Sequence, residues 1–232
     1  MRNAKQQNDS QQDGSRQSRR SGTPSRLPAF AAIILVIIGQ WWMASVFILR
    51  PIWLFPLISG VLLAVSVAFY LSPKELDTAR RAISVGLASI FVVINIGVLV
   101  ILIYNIFAGS SISPIILLAS GGVLWVINVL VFAIVYWEVD CGGLERRINR
   151  DYSYPDFVFP QQQDGSAALA PQGWEPSFYD YLYLSLTNGT AFSPTDTMPY
   201  TSVAKFMMGA QSLFSFVVFT ILVASSVNIA TS

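Results

Sequence analysis

Five long apolar segments dominate this chain and restrict it to the folds of membrane proteins. They lie at about residues 29–49, 54–71, 83–107, 114–136 and 204–229. A helix needs roughly 18–20 apolar residues to cross the hydrocarbon core, and each segment is near or above that length. Only 12% of the 232 residues are charged, and the mean hydropathy is +0.55, whereas soluble domains carry about 25% charged residues. The sequence therefore predicts an all-α membrane protein with five transmembrane helices.

Basic residues mark every second connection between the apolar segments. They cluster in the N-terminal tail and after the second and fourth segments: Arg2, Lys5, Arg16, Arg19, Arg20 and Arg26, then Lys74, Arg80 and Arg81, then Arg146, Arg147 and Arg150. Only Arg50 follows the first segment, and none follows the third. Because basic residues in short loops favour the cytoplasm, we expect a multi-pass protein of the cell membrane with its N terminus inside and its C terminus outside.

The chain divides into four regions by composition. Residues 1–26 are polar and basic, which predicts a disordered cytoplasmic tail, and they lack the interleaved aromatic residues that nucleic-acid binding uses. Residues 27–136 form a four-helix transmembrane region, and residues 137–176 form a cytoplasmic connector. Within the connector, Asp151–Pro176 shows no periodicity, so we expect an extended, solvated chain there. Residues 177–232 contain a short helix, a polar loop and the last span.

The short helix is predicted by a start signal at the beginning of the C-terminal region. Pro176 stiffens the entry, Ser177 is suited to cap the first amides, and Asp180 completes a capping box, while Gly189 is suited to end the helix. Its eleven residues or so would be roughly 16 Å long, about half of a 30 Å hydrocarbon core. We therefore expect a re-entrant, pore-type helix and loop that enter the bilayer without crossing it.

Polar residues at the end of this helix and in the following loop are the candidate pore lining. They are Thr187, Asn188, Thr190, Ser193, Thr195 and Asp196. The C-terminal end of the helix would point at the loop, and its partial negative charge favours cations over anions. In an alternative interpretation, Tyr179, Tyr181 and Tyr183 alternate with leucines, which suits a strand or an aromatic belt at the membrane interface equally well.

Composition excludes several classes of function. The chain has no His and one Cys, Cys141, so neither a zinc cluster nor a Cys–His nucleophile pair is available. No charged residue lies in the middle of a span, which disfavours proton relays and voltage sensing. The central polar residues are Gln40, Asn95, Asn128 and Gln211, whose amides we expect to bond between helices. We expect no catalytic, cofactor or metal site, and no enzyme activity.

Two acidic residues stand at the end of the fourth span. Glu138 and Asp140 are two positions apart, a spacing that paired catalytic carboxylates sometimes use, but no nucleophile accompanies them. We expect salt bridges to Arg146 or Arg147 instead.

The C-terminal residues resemble the pore region of potassium channels. Thr187-Asn-Gly-Thr190 leads to Asp196-Thr-Met-Pro199 and a long apolar helix, where that family has T-x-x-T, a T-V-G-Y-G filter and D-x-x-P. Asp196 and Pro199 match by position. The filter does not, because Ala191-Phe-Ser-Pro-Thr195 contains neither glycine. The glycines supply backbone angles that Ser193 and Thr195 adopt only with strain, so the usual potassium selectivity is not expected.

Residues 27–230 as a whole resemble uncharacterised bacterial integral membrane proteins of the domain-of-unknown-function type, which share the five-span layout. The shared features are a basic loop, Asp77-Thr-Ala-Arg-Arg81, a Gly-Gly pair with arginines, Cys141-Gly-Gly-Leu-Glu-Arg-Arg147, and an F-x-D-Y-L-Y-x-S stretch from Phe178 to Ser185. The resemblance implies a relative of channels without an assigned activity. Our first hypothesis is therefore an oligomeric, channel-like protein of the lipid bilayer that passes cations. The alternative is a membrane scaffold or assembly protein with no transport activity.

Overall fold

The fold is a helical bundle with a small folded cap at one end. The computed structural model describes residues 26–47, 57–58, 60–61, 64, 77–108, 112–149, 151–163, 170, 174–191 and 196–231. Its elements in chain order are α1 (Leu27–Val46), α2 (Asp77–Phe107), α3 (Pro114–Val139), α4 (Leu144–Asn149), β1 (Phe157–Val158), α5 (Phe178–Ala191), β2 (Met198–Pro199) and α6 (Ser202–Thr231). Short 3₁₀ turns at Asp140–Gly142 and Pro160–Gln162 complete the connector.

Four of these helices are long and apolar enough to cross a membrane. They are α1, α2, α3 and α6, with qualifying spans of 20 to 29 residues. They correspond to four of the five predicted segments, with boundaries shifted by a few residues. The other predicted segment, residues 54–71, lies largely outside the described residues.

Helix α3 is the centre of the bundle and packs against α1, α2, α5 and α6. Its close contacts depend on small residues. A Cβ atom added at Gly39 of α1 would lie 2.8 Å from Cδ1 of Ile127, and one at Gly121 would lie 2.8 Å from Cδ2 of Leu222 on α6. In lipid, such close approach of backbones is a main source of helix association, since burial of apolar surface gains little there.

The other bundle helices run antiparallel to α3. Residues in the first turn of α1 and in the first half of α2 meet the end of α3 around a small cavity, which is lined by Ala29, Leu87 and Trp137. At the opposite end of the bundle, a groove brings together Phe107, Pro114 and Ala224. We call the end of the bundle where α3 finishes the connector end, because the connector folds over it.

The connector does not have the extended, solvated conformation expected for it, at least in residues 151–163. Strand β1 pairs antiparallel with β2, with Phe157 opposite Pro199 and Val158 opposite Met198. Phe157 and Phe159 are buried. The prediction was wrong here because these two aromatic side chains pack into the end of the bundle, a tertiary contact that leaves no periodic pattern in the sequence.

Helix α5 begins where the sequence predicts, but it ends later than predicted. Its first turn is fixed by Asp180, whose Oδ2 atom accepts hydrogen bonds from the amide and the hydroxyl of Ser177, each at 2.7 Å. Gly189 does not end the helix, which continues to Ala191. A Cβ atom at Gly189 would lie 3.3 Å from Oγ of Ser215. The glycine therefore serves close packing against α6 within the helix, and the strand interpretation of this segment is wrong.

Candidate functional site: a helical hairpin and its polar seam

Helix α5 lies alongside α3 and runs away from the connector end. Near its start, the ring of Tyr181 lies 5.6 Å from the ring of Trp137, centroid to centroid. Near its end, Nε1 of Trp125 donates a hydrogen bond of 3.3 Å to the carbonyl of Gly189. Strand β2, seven residues after Ala191, is back at the connector end beside β1. We call residues 177–201 the hairpin, and its two attachments at the connector end its feet.

A group of buried hydrogen bonds fills the space between α3, α5 and α6. Its centre is Gln211, which is fully buried. The Oε1 atom of Gln211 accepts from the hydroxyl of Tyr136 at 2.6 Å and from Nδ2 of Asn188 at 2.9 Å. The Nε2 atom of Gln211 donates to the carbonyl and hydroxyl oxygens of Ser185, at 2.9 and 2.7 Å. These hydrogen bonds therefore link α5 to both α3 and α6.

A second group of hydrogen bonds continues the polar contacts toward α2. Nδ2 of Asn95 donates to Oδ1 of Asn128 at 3.3 Å, and Nδ2 of Asn128 donates to Oγ of Ser215 at 3.1 Å. We call the two groups together the polar seam. As expected, the four central amide residues are buried between helices: Gln40, Asn95, Asn128 and Gln211. A hydrogen bond of this kind in a membrane bundle contributes on average about 0.6 kcal/mol.

The four predicted pore-lining residues that the structure describes do not all face one common space within a single chain. Asn188 is buried in the polar seam, where its Nδ2 atom also donates to the carbonyl of Met208 at 3.0 Å. Thr187 is half-buried, and Thr190 is exposed, about 200° around the helix from Asn188. Asp196 is exposed next to the connector, where its carbonyl accepts from Nε2 of Gln163 at 3.3 Å. The remaining two candidates, Ser193 and Thr195, lie outside the described residues.

The carboxylate of Asp140 is the polar centre of the connector end. It is 1% exposed. Its Oδ1 atom accepts from the amides of Asp156 and Phe157, at 2.8 and 3.1 Å. Its Oδ2 atom accepts from the hydroxyl of Tyr181 and lies 3.7 Å from Nη1 of Arg147. The expected ion pair between this acid and a nearby arginine is therefore present, whereas Arg146 pairs instead with Asp151 at 3.4 Å.

Aromatic rings enclose the buried guanidinium of Arg147. Its Cζ atom lies 4.7 Å from the ring centroid of Trp137 and 5.0 Å from that of Tyr181, on the ring faces. Nη1 donates to the carbonyls of Trp137 and Asp140, at 3.1 and 3.2 Å. Among the described residues, Nη2 has no acceptor.

A second carboxylate, that of Asp156, joins the connector to the far side of the hairpin. Its Oδ2 atom accepts from the amide of Cys141 at 3.1 Å, and its Oδ1 atom accepts from the hydroxyl of Thr201 at 2.6 Å. The Thr201 oxygen in turn accepts from the amide of Ala204 in the first turn of α6 at 3.1 Å. Asp156 therefore has a specific structural role and is more than a solvated charge in a linker.

Sequence reasoning identified the Asp140 ion pair but missed the roles of Asp156, Tyr181 and Trp137. The hydrogen bonds of Asp156 to Cys141 and of Tyr181 to Asp140 span 15 and 41 positions of the chain, and no local motif links these residues. The one available signal was the F-x-D-Y-L-Y-x-S stretch, which includes Tyr181 and Ser185, both members of the buried networks.

The outer surface of the hairpin and of α6 is apolar and aromatic. Its large exposed side chains include Tyr179, Tyr183, Leu186, Phe206, Leu213, Phe216 and Val223. A groove of about 530 Å³ opens on this surface, lined by Thr190 at the end of α5 and by Phe216 and Thr220 of α6. The described residues contain no group of three or more potential metal ligands. Comparisons of the chain with protein-family models, with curated proteins and with solved structures find no match.

Proposed function

We propose that this protein is a channel-like membrane protein whose hairpin enters the bilayer from the connector end and returns to the same end. One observation carries the proposal: Gly189 lies beside Trp125, deep along α3, while β2 pairs with β1 back at the connector end. Trp125 is about 14 residues before the end of α3, which is a depth of roughly 21 Å at 1.5 Å per residue. Such a depth lies well inside a hydrocarbon core of about 30 Å.

The direction of the helices supports a fifth span and a defined orientation. Helices α1 and α2 both begin at the connector end, so the chain returns to that end between residues 47 and 77. The apolar segment 54–71 has the length that one crossing requires. With five spans and basic residues at the connector end, that end faces the cytoplasm and the hairpin enters from the inner face.

The conducting path in this proposal forms between copies of the chain. The interior of a single bundle is filled by apolar side chains and by the polar seam, in which Asn188 already has its partners. Thr190, by contrast, is exposed beside the groove on α6. The exposed end of α5 therefore needs further subunits around it before it can line a water-filled path.

Cations are the proposed permeant species, without the usual potassium selectivity. The C-terminal end of α5 carries partial negative charge toward the path, and Asp196 adds a carboxylate on the returning limb. The resemblance to potassium channels and to the uncharacterised five-span family supports this class of function. The absence of both filter glycines argues against a filter made of carbonyl rings.

A selectivity measurement tests this proposal. The purified protein in planar bilayers should conduct ions, with a reversal potential in a salt gradient that shows a preference for cations. Asp196→Asn should shift this reversal potential toward the value of a path with no preference between cations and anions. Asp151→Asn is the matched control, because it removes one exposed carboxylate that pairs with Arg146, away from the hairpin. Silent bilayers over a wide range of potentials, or equal shifts in the two variants, would contradict the proposal.

A membrane scaffold is the second candidate, and the exposed surface of α5 and α6 favours it. That surface carries aromatic and aliphatic side chains, as a helix–helix docking surface does, and only Thr190 among the described pore candidates is well exposed on α5. Chemical crosslinking in native membranes separates the two functions. A stoichiometric partner protein that stays bound after Asp196→Asn, together with silent bilayers, would favour the scaffold.

A further inference from the structure

The connector holds both feet of the hairpin through two neighbouring carboxylates. The first foot is the start of α5, where the Tyr181 hydroxyl donates to Asp140. Tyr181 is fully buried among the rings of Trp137, Phe157 and Phe159, with centroid distances of 5.2 to 6.4 Å. At the start of α5, the hydroxyl of Tyr181 is therefore hydrogen-bonded to Asp140, and its ring packs against other aromatic rings.

The second foot is the returning limb before α6. Asp156 binds it twice, through Oδ1 to the hydroxyl of Thr201 at 2.6 Å and through its carbonyl to the amide of Tyr200 at 2.8 Å. The pairing of β1 with β2 adds the neighbouring backbone contacts. Since Thr201 also accepts from Ala204, this foot includes the beginning of α6.

The two feet share one support. Asp140 accepts from the amides of Asp156 and Phe157, so the same carboxylate that binds Tyr181 also positions the residue that binds Thr201. A displacement of Asp140 relative to residues 156–157 disturbs both feet. The side chains involved are buried or half-buried, so water does not readily replace these bonds.

A strained turn lies directly beside this support. Cys141 has φ of +55°, and Gly142 and Gly143 follow at +76° and +104°. A left-handed conformation is unfavourable for a residue with a side chain and persists where surrounding contacts impose it. The amide of Cys141 is held by Oδ2 of Asp156, so the connector itself supplies one of those contacts.

We propose that residues 140–163 act as a strap that couples the two feet, with Asp140 and Asp156 as positioning residues and Cys141–Gly143 as its hinge. Loosening one foot then loosens the other, and release of the strap frees the whole hairpin. This inference rests on the proposed function in one respect, which is that the hairpin is the functional element of the protein. The coupling itself is a property of the contacts described above.

Labelling of a buried thiol on one foot tests the coupling while the other foot is altered. Thr197→Cys places a reporter on the returning limb, where Thr197 is 3% exposed, and Cys141→Ala removes the native thiol in every variant. Tyr181→Phe deletes only the hydroxyl at the first foot. It should raise the labelling rate at position 197 roughly tenfold, within the 5–150-fold range of ordinary coupling between sites.

Two controls keep the test specific. Tyr179→Phe removes an exposed hydroxyl from the same helix and should leave the labelling rate unchanged. Thr201→Val should raise the rate, whereas Thr201→Ser, which keeps the hydroxyl, should not. An unchanged rate in Tyr181→Phe, with a raised rate in Thr201→Val, would show that the feet are independent and would overturn the strap.

Hydrogen exchange provides a second measurement without a reporter. In Tyr181→Phe, the amides of Phe157 and Tyr200 should exchange faster by the same factor, because both bonds depend on the strap. Faster exchange at Phe157 alone would overturn the proposal. Neither measurement uses ion conduction, so silent bilayers would reject the channel function and leave the coupling result standing.

Discussion

At the scale of single residues, the connector end depends on a buried ion pair. Asp140 and Arg147 have 1% and 2% of their side chains exposed. Removing one member of such a pair leaves a buried charge without its partner, which typically costs about 3–5 kcal/mol, whereas replacing both by apolar groups is often tolerated. The energetic importance of Asp140 therefore has two sources, the charge of Arg147 and the three hydrogen bonds that its carboxylate accepts.

This asymmetry gives a prediction for stability. Asp140→Ala should lower the free energy of unfolding by about 3–5 kcal/mol. The double variant with Arg147→Met should recover only the part caused by the unpaired guanidinium, because the three donors that Asp140 accepts from still lack a partner. Chemical unfolding in detergent micelles, followed by tryptophan fluorescence, measures both. A loss below about 1 kcal/mol for Asp140→Ala, or a double variant less stable than the single one, would contradict the assignment.

The conformation of Cys141 gives a second prediction. Its φ of +55° is accessible to glycine without strain and is unfavourable for β-branched residues. Cys141→Val should therefore destabilise the protein by about 1–3 kcal/mol more than Cys141→Gly, although valine replaces more of the buried volume. Thermal unfolding of the two variants in the same detergent decides the order, and a more stable valine variant would refute it.

At the scale of elements, the sequence predicted the start of α5 but not its end. The start depends on Pro176, Ser177 and Asp180, which lie within one turn of each other, so the capping signal is local. The end was assigned to Gly189 because glycine often terminates helices. In the structure this glycine faces Ser215 and Gln211 on α6, and a contact with a helix further along the chain has no signature in a short window.

Gly189 provides a prediction about helix packing, with Gly209 as its control. A Cβ atom at Gly189 meets Ser215 at 3.3 Å, whereas one at Gly209 of α6 meets nothing within 4 Å. Gly189→Val should cost about 1–3 kcal/mol through overpacking, and Gly209→Val should change stability by less than about 1 kcal/mol. Equal effects on the unfolding midpoint would show that α5 and α6 do not pack this closely.

The connector shows the same limit of sequence reasoning. Residues 151–163 have no periodic pattern, and an extended chain was the natural expectation. Their fold comes from Phe157 and Phe159, which enter the aromatic contacts at the end of α3, and from Asp140, which accepts the amides at positions 156 and 157. A few anchoring side chains can fold a short segment that has no local preference.

At the scale of the whole molecule, the apolar segments predicted most of the architecture. Their lengths indicated the four long helices, and the central amides indicated where these helices bond to one another. What the sequence could not supply was the convergence of Asp140, Asp156 and Tyr181, since each pairing depends on how α3, the connector and α5 meet. The arrangement of the candidate pore residues on opposite sides of α5 also depends on that packing.

Whether the hairpin enters the bilayer can be measured through the depth of Thr190. Thr190 and Tyr200 are both exposed, so a fluorophore on a single cysteine at either position, in a Cys141→Ala background, leaves the core intact. Lipids that carry quenchers at defined acyl positions report the depth of each fluorophore in reconstituted vesicles. If the hairpin enters the bilayer, the position-190 probe should be quenched most by quenchers deep in the acyl chains, and the position-200 probe by quenchers near the headgroups. A position-190 probe at the headgroups or in bulk water would contradict it.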